Sequence, residues 1–346
     1  GSATGSSPFV RRSSAAVPLP QEDVAAGGVA DVAQPGALTG LPPTNLSPPS
    51  SDSAPVGARL ALFHHHWMDL SPDPWAQSVV EEGLRIPFTS PPPLTRTPQW
   101  IRVPSDSARA AALRAEVQAL ISKSAVEEVC DPSSPGYYSH LSVVPKPGVR
   151  WRPLIDLSAL NRLVVAPHFR METPRALRQS VRRGEFAVSL DLTDAYLHVP
   201  MHRSAQRFLR FAIDNKVYAF RAMPFGLNIS PWAFTRLMDA VLAFVRRRTS
   251  ADISGYLDDL LQKHADPLVL STDLSFLQST LLRLGWLVNL SKSDLSPSQE
   301  FCHLGMQFRT VPATVELTIK RRDKLLAAVG ELREKSVTTP ERLRQS

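Results

Sequence analysis

The sequence is short of cysteine: Cys130 and Cys302 are the only two in 346 residues. Two thiols cannot build a disulfide framework, and neither stands at a metal-ligand spacing, so a stapled scaffold and a cysteine-zinc site are excluded and a reducing compartment is expected. Also missing is any apolar run near the roughly 18 residues that a membrane-spanning helix needs, and the N-terminus lacks a basic-then-apolar signal pattern. The expectation is an intracellular protein without a membrane partner, nucleus and cytoplasm both remaining open. No internal repeat is present. Residues 1–56 are almost without aromatics and without apolar period, while rich in Pro, Ser, Ala and Gly. Such a segment cannot bury enough surface to offset the cost of ordering, and it reads as a disordered tail.

What remains is well supplied for folding. The chain is 43% hydrophobic, enough for a sizeable core. Within the tail, Arg11 and Arg12 stand against Glu22, Asp23, Asp31 and Asp52, a net of −2, so the rest of the chain carries about +9 where the whole has a formal +7. That balance suits a polyanionic partner. In the stretch 57–104, read as an N-terminal extension and linker, Asp73-Pro74 predicts a helix start and Gly83 its end. His64, His65 and His66 lie in this stretch, but consecutive helical residues face different directions, so at most one or two could share an ion. Residues 105–124 carry Leu113, Val117, Leu120 and Ile121 at helical spacing behind Ser105, Asp106 and Ser107 as caps.

Beyond this point strands alternate with helices. Leu141–Val144 and Arg152–Leu157 read as extended, and Phe208–Phe211 with Val217–Phe220 flank Asp214-Asn215-Lys216, which predicts a hairpin. Asn228-Ile-Ser-Pro231 reads as a cap with proline in the first turn, opening a helix through Phe234, Leu237, Met238, Val241, Leu242 and Val245. Leu274, Leu277, Leu281 and Leu282 repeat the spacing before Gly285.

Two short stretches place carboxylates against apolar residues. In Val188–Leu192 strict alternation puts Val188, Leu190 and Leu192 on one face and Ser189 and Asp191 on the other. In Gly255–Leu261, GYLDDLL, alternation puts Leu257 and Asp259 one way and Tyr256 and Asp258 the other, at a hairpin tip between Ile253–Leu257 and Leu260–Gln262. Buried carboxylates need a cation or donors. Neighbouring strands would bring Asp191 and Asp258 together, where a divalent ion relieves the repulsion; Mg²⁺ takes a few carboxylates plus phosphate oxygens, and two metal ions about 4 Å apart suit in-line nucleotidyl transfer. An Asp-Asp pair alone more often marks a solvated turn.

The pair has company: SLDLTDAYLHVPMH, RAMPFGLNISPWAF, GYLDDLL and GWLVNLSKSDLSPSQEFCHLGM occur in this order. Together they resemble the palm motifs of reverse transcriptases, and LSVVPKPGVRWRPLIDLSALN resembles the fingers segment. The upstream block LALFHHHWMDLSPDPWAQSVVEEGLRIPF is similar to that of DIRS-like retrotransposons, the class with a tyrosine recombinase. The resemblance implies an α+β fold: a right-hand palm with a ferredoxin-like antiparallel sheet and helices, fingers and palm over 105–310, and the start of a thumb over 311–346. It also implies an RNA-directed DNA polymerase using two Mg²⁺ ions, or Mn²⁺, on an RNA or DNA template, a DNA primer and dNTPs. RNase H and recombinase are the element-encoded partners it implies.

By the same resemblance Asp191 and Asp258 are metal-binding aspartates and Asp259 a lesser ligand. Lys292 protonates the leaving pyrophosphate. Lys146 and Arg152, with Arg150 as the alternative, grip the triphosphate beside Asp194 and Ala195. Tyr196 is the steric gate against a ribose 2′-hydroxyl, Phe225-Gly226 the turn beneath the nascent pair, and His303-Leu304-Gly305-Met306 the primer grip. The rival reading is a non-catalytic nucleic-acid binder from a decayed or host-adopted element, motivated by the partial thumb. An RNA-copying RNA polymerase is disfavoured by Tyr196.

Overall fold

The face that each strand must bury determines the architecture. In β1 (Phe186–Asp191) Val188 and Leu190 are fully buried while Ser189 and Asp191 stay partly open, as the alternation requires. The computed structural model describes residues 54–70, 72–146 and 150–334. The tail read as disordered lies outside these except for Ala54–Val56, and so does the end of the expected thumb, 335–346. β1 is central in a four-stranded antiparallel sheet with β2 (Asp252–Tyr256), β3 (Asp259–His264) and β4 (Asp294–Ser298), in the order β2-β3-β1-β4. Helix α1 (Ser230–Arg246) precedes β2, and α2 (Pro267–Arg283) connects β3 to β4. The connectivity β1α1β2β3α2β4 with this order is the ferredoxin-like palm topology expected from the sequence, with one strand pair, Arg210–Ile213 and Lys216–Phe220, inserted between β1 and α1.

Both helices are amphipathic and cover one face of the sheet. Phe234, Leu237, Val241 and Val245 of α1, with Leu274, Leu277 and Leu281 of α2, join Val188, Leu190 and Leu260 in the main core. Each such side chain contributes about 1.5–3 kcal/mol by leaving water. Leu282, at the same nominal spacing, lies on the open side of α2 and is exposed. The helix ends obey local chemistry: Asp266 Oδ1 accepts from the Leu268 N–H, and Gly285 takes φ of +90° beyond the last turn. Asn228 does not cap α1. Its amide instead donates to the Asn161 carbonyl at 3.1 Å, and the N-cap position falls to Ile229.

The opposite face, bearing Ala187 and Leu261, is covered by Leu177 and by a hairpin, β5 (Glu300–His303) and β6 (Met306–Arg309). Phe301 and Phe308 stack there at 4.9 Å between centroids. A third strand, β7 (Thr314–Leu317), extends the hairpin and leads to α3 (Ile319–Glu334). In the fingers, His140–Lys146 pairs with Arg150–Asp156, and Arg210–Ile213 pairs with Lys216–Phe220 around Asp214 and Asn215, both at positive φ. The helix expected over 105–124 runs Ser107–Ser122, with the Asp106 carboxylate accepting from the Ala108 N–H. Among the described residues no helix is long and apolar enough to cross a membrane.

Candidate active site

The GYLDDLL hairpin is tighter than alternation suggests. Tyr256 pairs directly with Asp259, so Leu257 and Asp258 form a two-residue turn, with Leu257 at φ of +54°. A non-glycine residue in this region stores backbone strain, here next to three carboxylates. The turn interrupts the expected alternation: Asp258 is in the turn rather than on a strand, and Asp259 opens β3. Asp259 is then the direct cross-strand partner of Asp191. Directly opposed residues share a face, so these two carboxylates stand side by side. Asp258 stays close, its carbonyl accepting from the Leu192 N–H at 3.2 Å.

Three negative groups in partial burial repel each other. Burial, with the Asp191 charge, raises Asp258 above the usual carboxylate range. Burial, then Asp258 and then Asp191, pushes Asp259 up to about 6. The cation opposing both shifts is Lys292, whose Nζ lies 3.3 Å from Asp191 Oδ1. Asp191 is also fixed through its backbone, its N–H donating to Ser293 Oγ at 3.0 Å and its carbonyl accepting from the Asn289 N–H at 2.7 Å. Ser293 and Asn289 were not marked by the sequence, where a serine in a polar loop carries no signal.

A cavity of about 140 Å³ opens here, lined by Asp191, Asp259 and Lys292 on one side and His303, Leu304 and Gly305 on the other. The sheet and the β5–β6 turn thus converge, with Leu304 and Gly305 both at positive φ and His303 paired to Met306. Burial pushes His303 down to about 4, so it is neutral near pH 7. Met306 points to the buried cluster beneath.

The expected nucleotide residues cluster beyond the end of β1. Asp194 takes φ of +45° and pairs with Lys123 at 2.9 Å, a contact the sequence did not suggest. Ala195 and Tyr196 begin a short 3-10 turn and are buried. The Tyr196 ring lies 5.0 Å from that of Phe225, which is 56% exposed and forms an open apolar floor. Burial, with Asp258 and Tyr256 adding, pushes the Tyr196 phenol up to about 12, so it stays protonated. Gly226 has φ of +88°, and its carbonyl accepts from Asn161 Nδ2 at 2.7 Å. Arg152 stands exposed on the fingers ribbon opposite Val144 and enters no ion pair among the described residues. Lys146 and Arg150 face each other at the ribbon's end, their side chains lying outside what the structure describes.

Comparison with known proteins shows what this arrangement is similar to. The model of the reverse transcriptase (RNA-dependent DNA polymerase) family matches residues 144–308. That span, a little under half of the chain, is what the family likeness covers. The chain is 27% identical over 153 residues to the Pro-Pol polyprotein of Simian foamy virus type 1, covering 44% of this chain and 13% of that protein. It is 28% identical over 152 residues to the Pol polyprotein of transposon 412 of Drosophila melanogaster, 42% of this chain and 12% of the other. Against Protein P of a duck hepatitis B virus it is 30% identical over 159 residues, 45% of this chain and 19% of the other. The chain therefore spans less than a fifth of each of these relatives. Among solved structures, a foamy viral protease-reverse transcriptase in complex with double-stranded DNA aligns with TM-score 0.56 at 18% identity, over 82% of this chain and 50% of that one. The same protein with an RNA/DNA hybrid aligns at 0.55, over 82% and 38%. The reverse transcriptase fold thus extends beyond the span matched by sequence.

Proposed function

We propose that this chain is the polymerase core of an RNA-directed DNA polymerase, adding deoxynucleotides to a DNA primer paired with an RNA or DNA template. The observation that carries this reading is the carboxylate group itself. Asp191 and Asp259 stand opposite each other across two strands, Asp258 joins them from a strained turn, and a lysine is at hand on an otherwise open face.

The residues suit Mg²⁺. The donors are all carboxylate oxygens, their mutual repulsion favours a bound cation, and no three acidic, His or Cys side chains among the described residues close around a point by themselves. Such a half-built site fits an ion that keeps waters and takes phosphate oxygens from its substrate. When bound, divalent ions supply Lewis-acid stabilisation of the attacking and leaving oxygens. The chain's own residues do the rest. Asp191, Asp258 and Asp259 would hold the ions, and Lys292 Nζ is placed to give a proton to the leaving pyrophosphate. Lys146 and Arg152 balance the triphosphate charge, and Asp194 and Ala195 shape its cradle. The Tyr196 ring closes the space a 2′-hydroxyl would need, above Phe225-Gly226. His303, Leu304, Gly305 and Met306 set the primer end beside Asp191 and Asp259.

The upstream block from Leu60 to Phe88 supports origin in a DIRS-like retrotransposon, whose RNase H and recombinase would be partners. No observation favours the non-catalytic binder. The test is extension of a DNA primer on RNA with dNTPs and Mg²⁺: wild type should extend and Asp258→Asn should not, while still binding primer-template. A folded wild-type protein that incorporates nothing would sink the reading.

A further inference from the structure

The segment upstream of the matched domain is built into the nucleotide site. Residues 56–88 form a strap of a 3-10 turn (Arg59–Phe63) and two helices (His64–Leu70 and Pro74–Glu82). It touches the turn that follows Tyr196 at both ends. The Ala58 N–H donates to the Leu197 carbonyl at 2.8 Å, the Leu84 N–H to the Pro200 carbonyl at 2.7 Å, and the His202 N–H to the Leu84 carbonyl at 3.0 Å. Gly83 permits this approach, since a Cβ there would run into the backbone of Met201 and His202, while Gly57 lets the strap pass close to the Ser124 backbone instead.

The middle of the strap holds the segment that ties down Asp191. Arg59, wholly buried, donates from Nε to the Gly285 carbonyl at 3.0 Å, and Trp67 Nε1 donates to the Leu284 carbonyl at 3.0 Å. From there the Leu287 N–H donates to His198 Nε2 at 3.1 Å, which leaves His198 Nδ1–H for the Ala195 carbonyl at 3.2 Å. Buried rings run in parallel. Trp67 lies 6.4 Å from Trp286, Trp286 lies 5.4 Å from Phe234, and Phe234 lies 5.4 Å from Tyr196. Trp286 buries its indole N–H with no hydrogen-bond partner among the described residues, so its rings are held by packing rather than by a directional bond. Removing one neighbouring ring frees it to tilt toward an acceptor, since an unsatisfied buried donor costs about 1–3 kcal/mol.

We propose that the strap is a positioning element of the nucleotide site, and that Trp67, acting through Trp286 and Phe234, sets where the Tyr196 ring stands and hence how strictly ribonucleotides are refused. The inference rests on the reading of Tyr196 as the gate. Trp67 touches no substrate; it is a positioning residue.

The test compares kcat and KM for UTP and dTTP with the full chain on one primer-template. Trp67→Leu should raise the UTP/dTTP ratio of kcat/KM roughly 2- to 30-fold, the range expected for coupling through packed side chains. The gain should come through the UTP KM, with kcat for dTTP little changed. Trp67→Phe, which keeps a ring, should restore most of the wild-type ratio. Leu113→Ala, a buried change in none of these ring contacts, should lower the melting temperature and leave the ratio alone. In a Tyr196→Ala background Trp67→Leu should add nothing. If Trp67→Leu does not fold, Phe234→Leu reads the same ratio. A wild-type ratio in the Trp67 and Phe234 variants, with Tyr196→Ala changing it, overturns the inference and leaves the gate intact. An unchanged ratio in Tyr196→Ala removes the gate reading, and the inference with it.

Discussion

Replacing Asp259 by asparagine should make the metal-free protein more stable at neutral pH. In the folded chain Asp259 is raised from 3.8 to about 6 by burial and by the charges of Asp258 and Asp191. A carboxyl raised in the folded state destabilises folding wherever it must be ionised. The penalty is fully present above about pH 6, falls to about half near pH 5, and vanishes below 3.8, the unfolded value. The interval corresponds to about 3 kcal/mol as an upper bound, and solvent screening of this partly open group reduces it to about 1–2 kcal/mol. Urea titrations of wild type and Asp259→Asn in EDTA at pH 7.5 should differ by that amount in favour of the variant. The advantage should shrink steadily toward pH 4. Saturating Mg²⁺ should remove it or reverse it, because the ion stabilises the wild type by binding its folded state. A variant less stable than wild type at pH 7.5 in EDTA would refute the claim that the three carboxylates repel one another in a partly dry site.

Gly285→Ala should cost about 2–4 kcal/mol by denaturant melt, since φ of +90° opposes any Cβ and the Phe63 ring stands 2.6 Å from where it would lie. His198 is held down at about 4 by burial against an ordinary 6.5, so the stability of its neutral form is complete above pH 6.5 and lost as pH falls toward 4. His198→Gln should therefore flatten the acid limb of stability against pH by up to about 3 kcal/mol, with His303 leaving a residual slope of the same sign. An unaltered slope would contradict the buried neutral imidazole. Lys292→Ala should lower kcat by about 10²- to 10³-fold with little change in primer-template affinity. Equal loss of binding would instead assign Lys292 to gripping nucleic acid.

The palm was legible because its elements follow local rules. Val188 and Leu190 alternate with Ser189 and Asp191, and Gly285 ends α2. The placement of the aspartate pair was not legible to the same depth. A two-residue turn at Leu257-Asp258 decides which carboxylate opposes Asp191, and register depends on turn geometry rather than on apolar pattern. The strap was legible as helices, through Asp73-Pro74 and Gly83, but not as part of the site. Its buried polar groups are satisfied by partners remote in sequence: Arg59 by Gly285, and Trp67 by Leu284. The Lys123–Asp194 ion pair is likewise a product of tertiary packing, visible in neither motif alone.

The central claim is that Asp191, Asp258 and Asp259 form a divalent-metal centre for nucleotidyl transfer. Its most direct test is single-turnover addition of one deoxynucleotide to a DNA primer paired with RNA, followed across a Mg²⁺ titration for wild type and Asp191→Asn. The account predicts a rate that saturates with Mg²⁺ and falls on the order of 10³-fold in the variant while primer-template binding is kept. A rate that persists in EDTA, or that Asp191→Asn leaves unchanged, would contradict it.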